Sequence, residues 1–299
     1  MVINRCRRRI RRGLAVWLVL LAPGTAVAAG RPVDDAVATL VARLADVGTP
    51  WAERSAAEDA LVTKPAGEVL IALLPHIGKG MPPGGIWNSA GRRSEEQAPA
   101  AWQAYYAVGR VWDGQIGNMS SAGGGAILGE ILAKAPTPAA KVRVLYSIAR
   151  RSWPGLEPAV AKLLRDEKEP VNVRTAAALP LVLYGSRDYH ADLLAAFDKE
   201  PAHTNRKLWF ERLVDPRHKA RSGVDPQVVA RGFALVEAER AAVPVKGDGS
   251  YFLVVAIGSY VGQDFMPPQS GPRYVTPTGL SEAFFSDTVE NALRWWKAR

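Results

Sequence analysis

The chain has 299 residues, 48% of them hydrophobic, which is enough to bury a substantial core, and its net charge is +9. Six of its 38 Lys and Arg residues, and none of its 29 acidic residues, lie in the first twelve positions, so the rest of the chain has 32 basic against 29 acidic residues, or +3. The high isoelectric point is therefore a property of the N-terminal segment and does not support nucleic-acid binding.

This N-terminal segment has the three parts of a secretory signal peptide. Its arginines are followed by an apolar run from Leu14 to Ala22 and by the small-residue sequence Ala26-Val27-Ala28. The apolar run is too short to span a bilayer, which takes about 20 helical residues. We therefore expect cleavage near Ala28, a periplasmic or secreted protein, and no integral membrane segment in the mature chain. Cys6, the single cysteine, would leave with the leader, which excludes disulfides and thiolate chemistry.

Helical spacing of apolar residues dominates the remaining chain, and no region alternates as a strand would. Val37, Leu40, Val41 and Leu44 form the first such stripe, in a helix predicted over 33–47. Short links that contain Gly or Pro separate the predicted helices, which is typical of antiparallel neighbours. The sequence thus predicts an all-α fold whose further helices lie at 50–62, 66–76, 99–112, 125–135, 138–151, 156–168, 170–184, 188–199, 203–214, 225–242, 249–261 and 281–298.

Three stretches rich in Gly, Pro or Ser interrupt the helical pattern, at 77–98, 113–124 and 263–279. Loops of this length in a compact domain are either functional or disordered. No linker-like charge run accompanies them, so we predict one domain over 29–299 that carries three loop insertions.

Some of the predicted helices repeat. Val142-Arg143 recurs as Val173-Arg174, and Glu-Lys-Glu-Pro at 167–170 recurs as Asp-Lys-Glu-Pro at 198–201, both with a shift of 31 residues. A helix pair of this length cannot bury its apolar face alone and must stack on its neighbours. Pro170-Val171-x-Val173-Arg174-x-x-Ala177, with the leucine-rich turn that ends in Gly185, resembles the second helix of a HEAT-like repeat.

This resemblance is clearest over 138–214 and implies a right-handed α-solenoid of stacked antiparallel helix pairs with an extended binding surface. It implies no catalytic residues. We predict that Arg143, Glu169 and Arg174 form a structural ladder, in which Arg174 ties neighbouring units together through Glu169 or an equivalent acid. The helix at 281–298 is predicted to cap the array through one apolar stripe: Phe285, Val289, Ala292, Leu293 and Trp296.

No pattern predicts a catalytic group, a metal site or a cofactor. The four histidines lack the paired spacing of a zinc site. Acidic pairs such as Glu53 and Glu58 are interpreted as solvated surface residues, although a hydrolase with carboxylates in a cleft between the loops stays open. Gly123-Gly124-Gly125 could cradle a phosphate ahead of a helix, but no lysine follows, so a flexible turn is the preferred interpretation.

Tryptophan is abundant, and eight of the nine residues remain after cleavage. Four fall in or beside predicted helices and are predicted to pack in the core: Trp102, Trp112, Trp153 and Trp209. Trp87 differs because it lies in a Gly/Pro loop beside Arg92 and Arg93. Exposed Trp and Arg dominate binding hot spots, so we predict that these three residues and Tyr274 contact a ligand or partner. The alternative is that Trp87 anchors its own loop.

The sequence therefore predicts an exported scaffold that binds another protein of the cell envelope. The alternative from a different class is a glycan or peptidoglycan binder with Trp87, Tyr105, Tyr106 and Tyr274 as stacking platforms. The ligand and the oligomeric state stay open.

Overall fold

The computed structural model describes residues 34–77, 98–186, 189–216, 223–242, 248–267, 273–276 and 279–299. The predicted signal peptide lies outside these residues. Within them the fold is all-α, as predicted, with thirteen helices and one short strand pair. The helices are α1 (Asp35–Ala45), α2 (Trp51–Val62), α3 (Ala66–Leu73), α4 (Ala100–Asn118), α5 (Ser121–Lys134), α6 (Pro138–Ile148), α7 (Glu157–Arg165), α8 (Val171–Tyr184), α9 (His190–Lys199), α10 (His203–Leu213), α11 (Pro226–Ala242), α12 (Asp248–Val261) and α13 (Glu282–Lys297).

The strand pair lies in the predicted loop at 263–279. Strands β1 (Val275–Thr276) and β2 (Gly279–Leu280) are antiparallel, with Val275 opposite Leu280. The predicted loop at 77–98 falls almost entirely outside the described residues.

The predicted loop at 113–124 is wrong. Helix α4 continues to Asn118, and only Met119 and Ser120 separate it from α5. Ser120 starts α5 as its N-cap, because its hydroxyl accepts a hydrogen bond from the Gly123 amide at 3.3 Å.

One-sided burial explains why α4 runs on. Trp112, Gln115, Ile116 and Met119 are all buried, at the spacing of one helix face. Gln115 also donates from Nε2 to the Leu61 carbonyl oxygen at 2.7 Å. These contacts outweigh the poor helix propensity of the glycines on the exposed side of this segment.

The helices pack mainly on their near neighbours in chain order. Helices α1 to α4 form one group, and α5 connects α3 to α6. From there α6, α8, α10 and α11 form a row in which each helix packs on the next, while α7 packs on α8 and α9 on α10. Helix α12 packs on α11, and α13 packs on α12. One cluster of buried apolar side chains extends through these helices from Val37 to Leu293.

The predicted stripe on α13 holds this helix against α11 and α12. Val289 and Leu293 are buried, and Trp296 stacks on Phe233 with ring centroids 4.9 Å apart and planes inclined by 7°. Phe285 is half-buried and meets Tyr251 of α12 edge-on at 4.8 Å.

Within the described part of the chain, no helix combines the length and the apolar character that crossing a membrane requires.

Candidate functional site

Of the four predicted contact residues, the structure describes only Tyr274. Trp87, Arg92 and Arg93 lie outside the described residues. Tyr274 is half-buried, and its hydroxyl donates to Oδ2 of Asp287 at 2.9 Å, which raises the pKa of Tyr274. Arg273 pairs with the same carboxylate at 2.9 Å. Tyr274 therefore attaches the strand pair to α13.

The aromatic residues near the start of α4 do not form a flat platform. Tyr105 is 42% exposed, and its ring lies 5.8 Å from that of Tyr106 at an angle of 69°. Both rings pack against Trp102, which is buried. This edge-to-face cluster lacks the coplanar exposed rings that the glycan-binding alternative requires.

The three residues of the predicted ladder make different contacts. Arg143 donates from Nη2 to Oδ1 of Asp113 at 2.7 Å, and Glu169 accepts a hydrogen bond from Lys141. Arg174 pairs with neither acid. It donates from Nε to the Leu164 carbonyl oxygen at 3.1 Å and lies 5.3 Å from the ring centroid of Trp209.

The position of Arg174 in α8 explains this choice of partner. Arg174 is the fourth residue of α8 and reaches back to the end of α7, where the last carbonyl groups have no partner within their own helix. An arginine that satisfies such a carbonyl fixes the angle between consecutive helices.

The same contact occurs between α1 and α2. Arg54, also the fourth residue of its helix, donates from Nε to the Leu44 carbonyl oxygen at 3.2 Å and from Nη2 to that of Asp46 at 2.7 Å. Its Nη1 donates to Oε1 of Gln103 at 2.9 Å. Both contacts follow the pattern Leu-x-Asp-x-x-x-Pro-x-x-x-Arg, at 44–54 and at 164–174. We call this contact the arginine clamp.

Charge pairs connect successive helices along most of the chain. Most partners lie between 27 and 36 residues apart, so each pair joins one helix unit to the next. Glu58 and Arg110 are 52 residues apart because the segment at 78–97 intervenes. The remaining pairs include Asp113–Arg143, Glu169–Lys141, Asp192–Arg165, Glu167–Lys199 and Asp198–Arg231.

Two histidines belong to the same set of contacts. His190 Nε2 lies 2.6 Å from Oδ2 of Asp225, and His203 Nε2 lies 2.6 Å from Oε2 of Glu239. Both carboxylates belong to α11 or the turn before it, so these contacts join α9 and α10 to α11. In the described ranges no group of three His, Cys, Asp or Glu side chains could hold a metal ion.

Four carboxylates of these pairs have lowered pKa values. Hydrogen bonds from Lys199, Arg231 and Lys207 lower the pKa values of their carboxylate partners, which are Glu167, Asp198 and Glu239 respectively. Burial acts to raise the pKa of Asp225, but hydrogen bonds from His190 and the Gln227 amide lower it overall. A glycosidase acid needs a raised pKa, so these carboxylates lend no support to the hydrolase alternative.

The three consecutive glycines lie inside α5 and not in a flexible turn before it, and two of them have a packing role. A Cβ on Gly124 would lie 2.2 Å from Cζ3 of Trp153, and one on Gly125 would lie 2.6 Å from the Pro154 carbonyl oxygen. Only glycine allows the segment before α7 to approach this closely. Trp153 is buried there, as predicted, together with Trp102, Trp112 and Trp209.

A shallow cleft of about 360 Å³ lies between α12 and the turn at 262–266. Its walls include Val254 and Phe265, and its polar side chains already have local partners. Asp264 accepts from the Met266 amide at 2.9 Å, and Thr288 donates to the Phe284 carbonyl oxygen at 2.7 Å. The cleft is therefore not a convincing reactive centre.

An exposed group of arginines around Tyr146 is the strongest candidate site. Oδ1 of Asp113 accepts a hydrogen bond from Nη2 of Arg143 at 2.7 Å and forms an ion pair with Nη2 of Arg150 at 2.8 Å. Tyr146 lies on the same face of α6 and is 43% exposed, and its hydroxyl accepts from Nη2 of Arg212 at 3.2 Å. We call these five residues, from α4, α6, the turn after α6 and α10, the Tyr146 cluster; its net charge is +2.

Sequence reasoning missed the Tyr146 cluster because its members come from three helices and the turn after α6. Tyr146 and Arg212 are 66 residues apart and meet across α8, where Arg212 also donates from Nε to the Thr175 carbonyl oxygen at 3.2 Å. One signal was available in the sequence: Asp113 and Arg143 are separated by about one repeat unit.

The chain matches no protein-family model, no curated protein and no solved structure.

Proposed function

We propose that the chain is an exported scaffold protein, built as a HEAT-like right-handed α-solenoid of antiparallel helix pairs, that binds another protein of the cell envelope. The observation that carries the proposal is the row α6, α8, α10 and α11, in which each helix packs on the next. In repeat arrays each unit stacks on its sequence neighbours, and the stacked helices provide an extended binding surface.

The spacing of the helices supports a repeated unit. Helices α6, α8 and α10 begin at 138, 171 and 203, and helices α7 and α9 begin at 157 and 190. The unit is therefore 32 or 33 residues long, slightly longer than the 31-residue shift of the sequence motifs. In this alignment Arg174 corresponds to Lys141, since each is the fourth residue of its helix.

The composition of the exposed surface supports protein binding. Tyrosine and arginine are enriched in protein interfaces and in their energetic hot spots. The Tyr146 cluster places three arginines and a half-exposed tyrosine on α6, the turn after it and α10, on either side of α8. Binding along such a surface requires no catalytic residue.

Affinity capture tests the proposed function. The purified mature chain, immobilised and mixed with an extract of the native envelope, is expected to retain one envelope protein in reproducible, near-stoichiometric amount. An excess of the free mature chain should compete this protein away. Sedimentation with purified peptidoglycan is the parallel measurement. Retention by peptidoglycan with no captured protein would overturn the proposal in favour of the glycan alternative.

Export is tested separately by cell fractionation and mass measurement. The proposal predicts that the protein is found in the periplasm or the medium with a mass that lacks residues 1–28. A chain that begins at residue 29 should stay in the cytoplasm. Finding the full-length protein in the cytoplasm would contradict the export part of the proposal.

A further inference from the structure

We propose that the Tyr146 cluster binds an acidic segment of the partner protein, whose Asp or Glu carboxylates pair with its arginines. This inference rests on the proposed function and names the surface and the chemistry of the partner.

The charges of the Tyr146 cluster are not balanced. Asp113 is its one carboxylate, and Arg143 and Arg150 both contact Oδ1 of that carboxylate. The third guanidinium group, of Arg212, bonds the Tyr146 hydroxyl instead. Arginine pairs best with a carboxylate when two parallel N–H groups meet both oxygens. Neither arginine has this geometry with Asp113, so a carboxylate from a partner completes the pairing.

The side chains of the Tyr146 cluster are both accessible and ordered. The side chains of Arg143, Arg150 and Asp113 are 36%, 47% and 39% exposed, so a partner can reach them without unfolding the protein. Arg212 is held in place by the Tyr146 hydroxyl and the Thr175 carbonyl oxygen. An arginine that is already ordered loses less conformational entropy on binding.

The donors of the Tyr146 cluster favour a protein segment over a phosphate or a lipid headgroup. Phosphate sites in proteins commonly use main-chain N–H groups at helix N-termini or in enclosing turns. Here the donors are side chains in α6, in the turn that follows α6 and in the last turn of α10, beside an exposed phenol ring. Open surfaces of arginine and tyrosine are typical of protein recognition.

The test uses a fluorescein-labelled ten-residue peptide of alternating Glu and Ser, and a second peptide with Gln in place of Glu. Fluorescence anisotropy is expected to show that the purified mature chain binds the Glu peptide and not the Gln peptide. Raising NaCl from 50 to 300 mM should weaken the binding several-fold, because exposed charges are screened. The variant Arg143→Gln/Arg150→Gln/Arg212→Gln should bind at least about tenfold more weakly.

Arg240→Gln is the matched control. Arg240 is 47% exposed, like Arg150, and pairs with Glu290 at 2.6 Å on a different part of the chain. Its substitution should leave binding of the Glu peptide unchanged. Arg212 also bonds the Thr175 carbonyl oxygen, so circular dichroism and thermal melting check that the triple variant is still folded. The single variant Arg150→Gln removes only an exposed ion pair and leaves the bond between Arg212 and Thr175 in place. The single variant should weaken binding about threefold or more.

Two results would overturn the inference: equal binding of the Glu peptide by wild type and Arg150→Gln, or binding to phosphatidylglycerol vesicles with no binding to the peptide. Envelope capture by the triple variant separates this inference from the proposed function. If wild type and variant retain the same protein equally, the Tyr146 cluster is not the contact surface and the proposed function stands. If wild type retains no protein, the proposed function itself fails.

Discussion

Arg174 donates from Nε to the carbonyl oxygen of Leu164, ten residues earlier in the chain, at 3.1 Å. The side chain thus links the start of one helix to the end of the preceding helix across a five-residue turn that contains Glu169 and ends at the N-cap Pro170. Arg54 and Leu44 repeat the contact with the same spacing. The arginine clamp is therefore a structural element that recurs in the chain, and its most buried copy should matter most for stability.

Arg54→Met is expected to lower the free energy of unfolding by about 2–4 kcal/mol. Arg54 is 0% exposed, and the substitution removes hydrogen bonds to two carbonyl oxygens and to Gln103. Urea denaturation of wild type and variant measures the change. Arg43→Met, on the exposed side of α1, is the matched control and should change the free energy of unfolding by less than about 0.5 kcal/mol. A loss below 1 kcal/mol for Arg54→Met would contradict a stabilising role for the clamp.

Two Gly→Ala substitutions should have opposite effects. Gly124→Ala places a methyl group 2.2 Å from Trp153 and should destabilise the protein by about 1–3 kcal/mol, in spite of the better helix propensity of alanine. Gly117 is exposed near the end of α4 and has no atom within 4 Å of its added Cβ, so Gly117→Ala should stabilise by about 0.5–1 kcal/mol. Thermal melting monitored by circular dichroism compares both variants with wild type. Destabilisation by Gly117→Ala would argue against the extension of α4 through this residue.

Acid should destabilise the protein through the carboxylates of its charge pairs. Four carboxylates have lowered pKa values in the folded protein: Glu167, Asp198, Asp225 and Glu239. Their contribution to the stability of the folded protein is therefore fully present above their pKa values in the unfolded chain, about 4, and is lost as the pH falls through their pKa values in the folded protein. Urea denaturation at pH 7, 5, 4 and 3 should show a falling free energy of unfolding below about pH 5.

Lys207→Gln isolates one of these carboxylates. The hydrogen bond from Lys207 is the main cause of the lowered pKa of Glu239. The variant should be less stable than wild type by about 0.5–1 kcal/mol at pH 7, and the difference should shrink towards zero near pH 3. Lys162→Gln, an exposed lysine of α7, serves as the control. A difference that persists unchanged at pH 3 would show that Glu239 is not the group involved.

Trp296→Ala should destabilise the packing of α13 on α11 by about 1.5–3 kcal/mol, because the Trp296 ring stacks on Phe233, which is 1% exposed. Hydrogen exchange should show faster exchange of the α13 amides in this variant. Lys297→Ala, an exposed neighbour, should leave exchange unchanged. Equal exchange in the two variants would mean that the stack does not hold α13.

The helices could be predicted because each buries one face, and periodic apolar residues record that face directly in the sequence. The helical structure of the region 113–124 could not be predicted, because its glycines are typical of a loop. The region is helical because Gln115 and Ile116 are buried, and this burial depends on α2 and other helices that are distant in the sequence. The hydrogen bond from Arg174 to the Leu164 carbonyl oxygen could not be predicted, because a sequence shows charges but not unsatisfied carbonyl groups. The Tyr146 cluster requires three helices in known register, which no local pattern provides.

The preference of the helices for near neighbours in chain order also bears on how the protein opens. The main contacts join helices that are at most three positions apart in the order of the helices. Loss of the packing between α8 and α10 therefore need not disturb the packing of α1 to α4. Local opening then occurs in contiguous blocks of sequence, and amide protection should change in steps along the chain. A partner that spans several units would join these blocks and raise protection in helices that it never touches.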